Sequence, residues 1–116
     1  MNTHIFHNPR CKKSRDAVDY LNTNEIEHTV IKYLESPPSK QELRDITKKL
    51  GITPSMLVRT KEKLYKEMNL GKSDLTDDQW LTLLAENPVL IERPIVVHGK
   101  KAAIGRPLDH VIALFE

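Results

Sequence analysis

The stretch THIFHNPRCKKSR, residues 3–15, predicts a strand, a turn and the start of a helix in direct succession. Thr3–Phe6 has the composition of a short strand, and Asn8-Pro9 is a typical signal for the turn that ends it. From Cys11 to about Asn22, apolar residues recur at the spacing of one helix face. Cys11 is therefore predicted to lie where a strand has ended and a helix begins.

The segments that follow predict the rest of the sheet. Thr29–Leu34 is rich in β-branched and aromatic residues, so that strand, helix and strand form a right-handed βαβ unit with parallel strands. Pro94–His98 and Lys101–Gly105 are two further predicted strands, and Gly99-Lys100 between them suits a two-residue type II′ turn. Pro107 then begins a last helix. The residues of this helix that are predicted to face inward are Val111, Ile112 and Leu114.

The chain between these two halves is predicted to be helical. Capping boxes at Ser39 and Thr76 indicate two helix starts, and Pro54 suits the first position of another helix. A short helical stretch is also predicted at Glu62–Leu70. The predicted helix ends in this part are Gly51 and Gly71.

These elements together predict an α/β fold. It consists of a thioredoxin-like mixed sheet (βαβ–ββα) with a helical insertion between the two halves, at about residues 39–87. A chain of 116 residues suits one domain with a modest core, so residues 1–116 are predicted to form a single domain.

The composition excludes several classes of protein. Hydrophobic residues make up 39% of the chain and charged residues 29%, which is typical of a globular domain rather than a disordered one. No apolar run approaches the roughly 18 residues of a membrane-spanning helix, and the first residues do not resemble a secretion signal. A net charge of +2 gives no reason to expect a nucleic acid or a membrane as partner. We expect a cytoplasmic protein.

Cys11 is the only cysteine of the chain, which limits its chemistry. It cannot form an internal disulfide or contribute to a cysteine-rich zinc site, so a resolving thiol would have to come from another molecule. Coordination of a metal by Cys11 with His4 and His7 fits no known ligand spacing well, and no metal is expected. A role as a small buried hydrophobic residue suits Cys11 poorly, because its neighbours are polar.

The surroundings of Cys11 favour a reactive thiolate. Unpaired N–H groups and the dipole at a helix N-terminus stabilise a negatively charged sulfur. The Ser14 hydroxyl, three residues on, is able to donate a hydrogen bond to the sulfur. The neighbours that are expected to stabilise the thiolate by positive charge are Arg10, Lys12, Lys13, Arg15 and, when protonated, His7. We therefore predict that Cys11 is a nucleophile whose pKa is lowered.

Arg93 and Arg106 both precede prolines, which restricts their backbone to extended conformations. If Gly99-Lys100 forms the hairpin turn, a bulge-free register places Arg93 opposite Arg106 at the open end of the hairpin. Like charges in direct opposition are destabilising, and an anion bound between them would remove this cost. The alternative is that both are solvated residues at strand ends. Arg59, at the end of the second helix of the insertion, is a solvated helix residue unless other observations assign it a role.

The sequence resembles the glutaredoxin-coupled arsenate reductase family. The matching segments follow the order of the family over nearly the whole chain. They are HNPRCKKSR (His7–Arg15), YLESPP (Tyr33–Pro38), LVR (Leu57–Arg59), NPVLIERPIVV (Asn87–Val97) and GRP (Gly105–Pro107).

The resemblance implies a role for individual residues. Cys11 matches the nucleophilic cysteine. The three arginines that match the oxyanion-binding arginines of the family are Arg59, Arg93 and Arg106. The residues that match supporting positions are His7, Asn8, Ser14 and Pro94. The resemblance further implies a cis peptide bond before Pro94.

The activity implied by the resemblance is the reduction of arsenate, or a similar small oxyanion, to arsenite. Glutathione would be the cosubstrate and glutaredoxin the protein partner, with no bound cofactor. Two alternatives stay open: a redox-responsive regulator that binds RNA polymerase, and a glutathione-linked reductase of another substrate. Ser14 argues against the regulator, because relatives of that kind use a Cys-x-x-Cys switch. The phosphatase-like arsenate reductases are excluded, since Ala17 stands where their Cys-x5-Arg loop requires arginine.

Overall fold

The computed structural model describes residues 2–116, in which four strands form one mixed sheet. The strands are β1 (Thr3–Phe6), β2 (Thr29–Ile31), β3 (Ile95–His98) and β4 (Lys101–Ile104). Their order is β2-β1-β3-β4. The β1 strand runs parallel to β2 and antiparallel to β3, and β3 pairs with β4 as a hairpin. The predicted combination of a parallel βαβ unit with a ββα half is confirmed.

Five α-helices connect or follow these strands in the described part of the chain. They are α1 (Lys12–Thr23), α2 (Lys40–Leu50), α3 (Lys63–Glu67), α4 (Asp77–Glu86) and α5 (Asp109–Ile112). Short 3₁₀ helices lie at Pro54–Leu57, Leu70–Lys72, Pro88–Leu90 and Ala113–Phe115. Not one helix within residues 2–116 has both the length and the apolar character needed to cross a membrane.

Both predicted capping boxes are present. The Ser39 hydroxyl accepts a hydrogen bond from the backbone N–H of Glu42, and the Glu42 side chain accepts one from the Ser39 N–H. Thr76 and Gln79 form the same reciprocal pair at the start of α4. These bonds satisfy N–H groups that a helix start leaves without partners. Gly51 ends α2 in a left-handed conformation with φ of 70°, which glycine adopts without steric cost.

The chain divides into two compact units. The first contains the residues up to Ser36 together with Arg93–Glu116, and the second contains Pro37–Glu92, somewhat more than the predicted insertion. In the first unit, the sheet buries apolar side chains against α1 and the last helix. The fully buried residues of this cluster are Ile5, Ala17, Leu21, Val96 and Val111. That the two units form a single domain stays a prediction.

The second unit consists of α2, α3, α4 and three of the 3₁₀ helices. Its fully buried leucines are Leu43, Leu57, Leu84 and Leu90. An isolated antiparallel bridge joins Val58 to Ile91, and two backbone hydrogen bonds flank it, from Arg59 N–H to Leu90 and from Glu92 N–H to Leu57. This bridge fixes the backbone that leads from Leu57 to Arg59.

Several element boundaries differ from the prediction. The β2 strand ends at Ile31 rather than Leu34, because Glu35 and Ser36 both donate backbone hydrogen bonds to the Lys32 carbonyl and close a turn. The helix that begins at Pro54 is a single 3₁₀ turn, so that Arg59 follows it instead of ending it.

Two further boundaries were predicted wrongly. The α3 helix ends at Glu67, and Gly71, the predicted end, lies inside a 3₁₀ turn instead. The last α-helix begins at Asp109, later than predicted. Of the three residues expected to face inward there, Val111 is fully buried, whereas Ile112 and Leu114 are half-buried.

The hairpin has the predicted register. Ile95 pairs with Ile104 and His98 with Lys101, and Gly99 has a φ of 60° whereas Lys100 keeps a negative φ, as a type II′ turn requires. A hydrogen bond from Gly105 N–H to the Pro94 carbonyl continues the pairing by one step. The predicted cis peptide bond Arg93–Pro94 is confirmed, and Arg106–Pro107 is also cis, which was not predicted.

Gly105 allows a close approach beside this hairpin, and its replacement should destabilise the fold. A Cβ atom at this position would lie 2.8 Å from Cγ of the buried Pro94 and 3.2 Å from Cγ2 of Val111. We expect Gly105→Ala to lower the free energy of unfolding by about 1–3 kcal/mol, the usual cost of overpacking a core.

Urea denaturation measures this loss, and Gly71→Ala is the matched control. A Cβ atom at Gly71 would make only an ordinary contact of 3.5 Å with the Tyr65 hydroxyl. This control should be neutral, or up to about 1 kcal/mol more stable because the unfolded chain loses freedom. Equal stability of the two variants would contradict the close approach.

Candidate active site

The loop between β1 and α1 presents Cys11 at the start of the helix. After Phe6, His7 N–H still donates to the Ile31 carbonyl, and the chain then leaves the sheet. The Asn8 carbonyl accepts from Cys11 N–H at 3.0 Å, and the Asn8 side chain accepts from Arg10 N–H at 3.0 Å. Asn8 thus closes the turn twice, once with its backbone and once with its side chain. Cys11 is the residue that precedes the first helical one, as predicted.

The side chain of Ser14 holds this loop in place through hydrogen bonds. Its side chain is fully buried, and its hydroxyl oxygen accepts from Asn8 N–H at 3.0 Å and is joined to His7 Nδ1 at 2.7 Å. The predicted hydrogen bond from this hydroxyl to the sulfur is therefore not the contact that forms. The backbone N–H of Ser14, in the first turn of α1, instead acts on the sulfur and lowers the pKa of the thiol. Ser14 thus holds the position of the loop with its side chain and stabilises the thiolate with its backbone.

Cys11 lies beside the two arginines of the hairpin. The guanidinium of Arg106 places Nη2 3.4 Å from Sγ of Cys11, and its Nε donates to the Arg93 carbonyl at 2.8 Å. The positive charge of Arg93 also acts on the sulfur and lowers the pKa of the thiol. The structure therefore brings together three residues that are far apart in sequence. Only about 9% of the Cys11 surface is exposed, so little of the residue is open to a reactant.

The balance of these contacts lowers the pKa of the Cys11 thiol. Burial raises this pKa, but the backbone N–H of Ser14 and the guanidinium groups of Arg93 and Arg106 outweigh that effect. The cations that stabilise the thiolate thus come from the hairpin. Two of the cationic sequence neighbours make other contacts: Lys12 pairs with Asp16, and Arg15 donates to the Pro9 carbonyl.

His7 does not act through a positive charge. Burial lowers the pKa of its imidazole, and the nearby charges of Lys32 and Arg15 lower it further, so that the ring is neutral at pH 7. The expectation that His7 adds positive charge beside the thiolate is corrected accordingly. Its described contact is the hydrogen bond with Ser14, which orients the loop.

Arg59 lies in the second unit, where two carboxylates contact it. Its Nη1 is 2.8 Å from Glu62 Oε2, and its Nε is 3.9 Å from Glu92 Oε1. A substrate anion that binds Arg59 would compete with these carboxylates. That Arg59 acts together with Arg93 and Arg106 stays a prediction.

The prediction from sequence assigned no role to Tyr33, which the structure places near the thiol. Its side chain is about 1% exposed, and its hydroxyl is close enough to Arg93, Cys11 and Asn8 for each of them to affect its pKa. One signal could have indicated this. Tyr33 follows a strand that is parallel to β1, and the carboxyl ends of parallel strands meet at the same edge of a sheet.

A groove runs along the outside of the loop that carries Cys11. Its volume is about 460 Å³, and it is lined by His7, Asn8, Pro9, Arg10, Lys32, Leu34 and Glu35. Arg10 and Lys32 make part of this groove cationic, while the exposed side chain of Leu34 adds an apolar wall. A small anionic molecule with an apolar portion would find complementary groups there.

The lowered pKa of Cys11 can be tested by alkylation. The rate of reaction with iodoacetamide follows the thiolate fraction, so its midpoint should lie below the free cysteine value of about 8.5. Arg93→Met and Arg106→Met should each move the midpoint upward, because each removes a positive charge beside the sulfur. Lys13→Gln, which removes an exposed cation two residues from Cys11, should leave it unchanged. An equal shift in all three variants would show that net charge, not contact, sets the pKa.

Comparisons with known proteins identify the family to which the chain is similar. The family model described as "ArsC family" matches residues 6–114. A protein of Neisseria meningitidis serogroup A named arsenate reductase is 47% identical over 95% of both chains, and one of Haemophilus influenzae with the same name is 42% identical over 98% of this chain and 99% of its own.

A solved structure shows the same fold. The arsenate reductase from Vibrio cholerae superposes with a TM-score of 0.92 at 46% identity, covering 97% of each chain. This match confirms the predicted α/β, thioredoxin-like fold with its helical insertion. A family match over nearly the whole chain and identities above 40% lead to one conclusion: this chain belongs to the ArsC family.

Proposed function

We propose that this chain is an arsenate reductase that uses the thiolate of Cys11 as nucleophile, with glutathione and glutaredoxin as external reductants. The observation that carries this proposal is the contact between the sulfur of Cys11 and the guanidinium of Arg106, with the charge of Arg93 also acting on the sulfur. A thiolate is the nucleophilic form of cysteine, and guanidinium groups match oxyanions with paired hydrogen bonds. The names of the relatives support arsenate as the oxyanion.

The first step is attack of the Cys11 thiolate on arsenic(V). A sulfur–arsenic bond forms, and one arsenate oxygen, once protonated, leaves as water. The anionic thiolate and the anionic substrate repel each other, so positive charge at the site is needed for their approach. Arg93 and Arg106 provide this charge and hydrogen bonds to the remaining oxygens. For Arg59, the same role rests on the family resemblance.

The electrons come from two external thiols. Glutathione attacks the adduct and displaces a second oxygen as water, so that arsenic carries both sulfurs. A glutaredoxin thiolate then attacks the glutathione sulfur. The bond between that sulfur and arsenic breaks, and its electron pair reduces arsenic(V) to arsenic(III). The products are a glutathione–glutaredoxin disulfide and Cys11-bound arsenic(III), which water releases as arsenite while Cys11 regains its proton. External thiols are required because the chain has a single cysteine.

The groove beside the loop is the proposed site for glutathione. Glutathione carries two carboxylates and one ammonium group, and the Arg10 and Lys32 side chains provide the matching positive charges. Because the groove lies next to Asn8 and Pro9, glutathione bound there would have its thiol near Cys11, the residue that carries the arsenic adduct.

Under the regulator alternative, a second cysteine would be needed at position 14, where the Ser14 hydroxyl instead holds the loop.

The reductase proposal is tested by arsenite formation with purified protein, glutathione and glutaredoxin. Cys11→Ser should abolish turnover. Arg93→Ala and Arg106→Ala should each lower kcat/KM by a factor that corresponds to a loss of about 2–3 kcal/mol of transition-state stabilisation, the scale of a lost charge-assisted hydrogen bond. Lysine at either position should restore part of the activity, since it keeps the charge but loses the planar fork.

The matched control is Arg44→Ala, because Arg44 pairs with Asp78 on the surface of the second unit. It should keep full activity. If the hairpin variants lost folding stability while retaining full turnover, Arg93 and Arg106 would be structural and the oxyanion site would lie elsewhere. Turnover of another oxyanion, with no turnover of arsenate, would favour the alternative of a glutathione-linked reductase of another substrate.

The glutathione groove predicts a second, separable effect. Lys32→Gln should raise the KM for glutathione several-fold, because it removes a cation from the groove, and should leave the KM for arsenate unchanged. The measurement is best made at pH 8, where His7 is neutral with or without Lys32. Lys49→Gln, on the exposed face of α2, is the control. An unchanged KM for glutathione in Lys32→Gln would place the glutathione site elsewhere.

A further inference from the structure

The hydroxyl of Tyr33 is buried without a hydrogen-bond partner among residues 2–116. The side chain is about 1% exposed, so water does not reach the hydroxyl freely. A polar group left unpaired in this way destabilises the fold. Phenylalanine would fill the same space without this cost. The position of the hydroxyl therefore calls for an explanation beyond packing.

A second unpaired donor lies in the same place. Nε of Arg93 is buried and has no partner within the described part of the chain, and the charge of Arg93 acts on Cys11. Arg93 and Cys11 both lie near the Tyr33 hydroxyl, as does Asn8. Two unpaired donors beside one reactive sulfur require acceptor atoms, and the oxygens of a small oxyanion are such acceptors.

The backbone holds Tyr33 at this position. The hydrogen bonds from Glu35 and Ser36 to the Lys32 carbonyl close a turn directly after β2. Because β2 is parallel to β1, with Ile31 beside Phe6, this turn emerges at the same sheet edge as the Cys11 loop. The Tyr33 ring is therefore fixed before any ligand arrives, which reduces the entropy that binding costs.

We propose that Tyr33 is a substrate-contacting residue, whose hydroxyl donates a hydrogen bond to an oxygen of the oxyanion that reacts with Cys11. This inference rests on the proposed function and adds an uncharged donor to its arginines. Arg93 and Arg106 neutralise the charge of the anion. Tyr33 adds direction, because a phenolic O–H lies close to the ring plane and donates well to few positions of the oxygen.

The protonation state of Tyr33 agrees with a donor role. Burial raises the pKa of its hydroxyl, and the negative charge of the Cys11 thiolate acts in the same direction. Arg93 and Asn8 oppose this rise without cancelling it. Since the ordinary tyrosine pKa is about 10, the hydroxyl keeps its proton at neutral pH and can donate it to a hydrogen bond.

Tyr33→Phe tests the proposal, with Tyr20→Phe as the control. Tyr20 packs against Phe115 in the core of the first unit, so this control removes a tyrosine hydroxyl away from the loop. The readout is protection: the concentration of arsenate, or of phosphate as an inert analogue, that halves the rate of Cys11 alkylation by iodoacetamide. This measurement needs no turnover, so it is independent of the reductase reaction. Thermal unfolding of each variant is measured alongside.

We expect Tyr33→Phe to need at least about tenfold more arsenate for half-protection, the effect of a lost hydrogen bond to a charged group. Its melting temperature should be unchanged or higher, because an unpaired polar group is removed. Its kcat/KM for arsenate should fall by a similar factor. Tyr20→Phe should match the unmodified protein in protection and turnover.

Two outcomes would overturn the inference. One is equal protection of Tyr33→Phe and the unmodified protein; if the alkylation midpoint of this variant without anion also moved upward, the hydroxyl would act on the thiolate instead. The other is a complete lack of protection in the unmodified protein. Protection without arsenite formation would instead contradict the reductase proposal and leave the role of Tyr33 in anion binding supported.

Discussion

The guanidinium of Arg106 contacts the sulfur of Cys11 and the carbonyl oxygen of Arg93 at the same time. These two contacts connect the start of α1 to the open end of the hairpin, and the sheet makes them possible. Phe6 pairs with both Ile31 and Ile95, and Ile95 pairs with Ile104. The segments after β1, after β2, before β3 and after β4 consequently meet at one edge, where each contributes a polar side chain.

The thiolate and the arginines depend on each other in energetic terms. Two guanidinium groups at the end of one hairpin repel each other, and a buried thiolate without cations would take up a proton. Placed together, the sulfur offsets the repulsion and the arginines offset the burial. The charges near Cys11 in sequence contribute less than expected because helix geometry carries them elsewhere, as the surface pair of Lys12 with Asp16 shows.

The sequence predicted the elements whose signals are local. Capping boxes, the turn at Gly99-Lys100 and the register of the hairpin depend on neighbouring residues, so they could be inferred correctly. The position of Tyr33 was missed because the predicted second strand continued to Leu34, and β propensity does not indicate where a chain leaves a sheet. The neutral state of His7 was also beyond reach, since it depends on burial and on Lys32, which is distant in sequence.

The hairpin register constrains how this protein can vary. Its turn lies at the far end of β3 and β4 from Cys11, at the surface, where substitutions are usually tolerated. A change in length is different, because inserting or deleting one residue there would shift β4 against β3 and move Arg106 away from Arg93 and the sulfur. Gly99 and Lys100 are therefore free to differ in side chain within the limits of the turn, but not in number. A gap in an alignment at this remote turn would then indicate a changed anion site more reliably than most substitutions nearer the thiol.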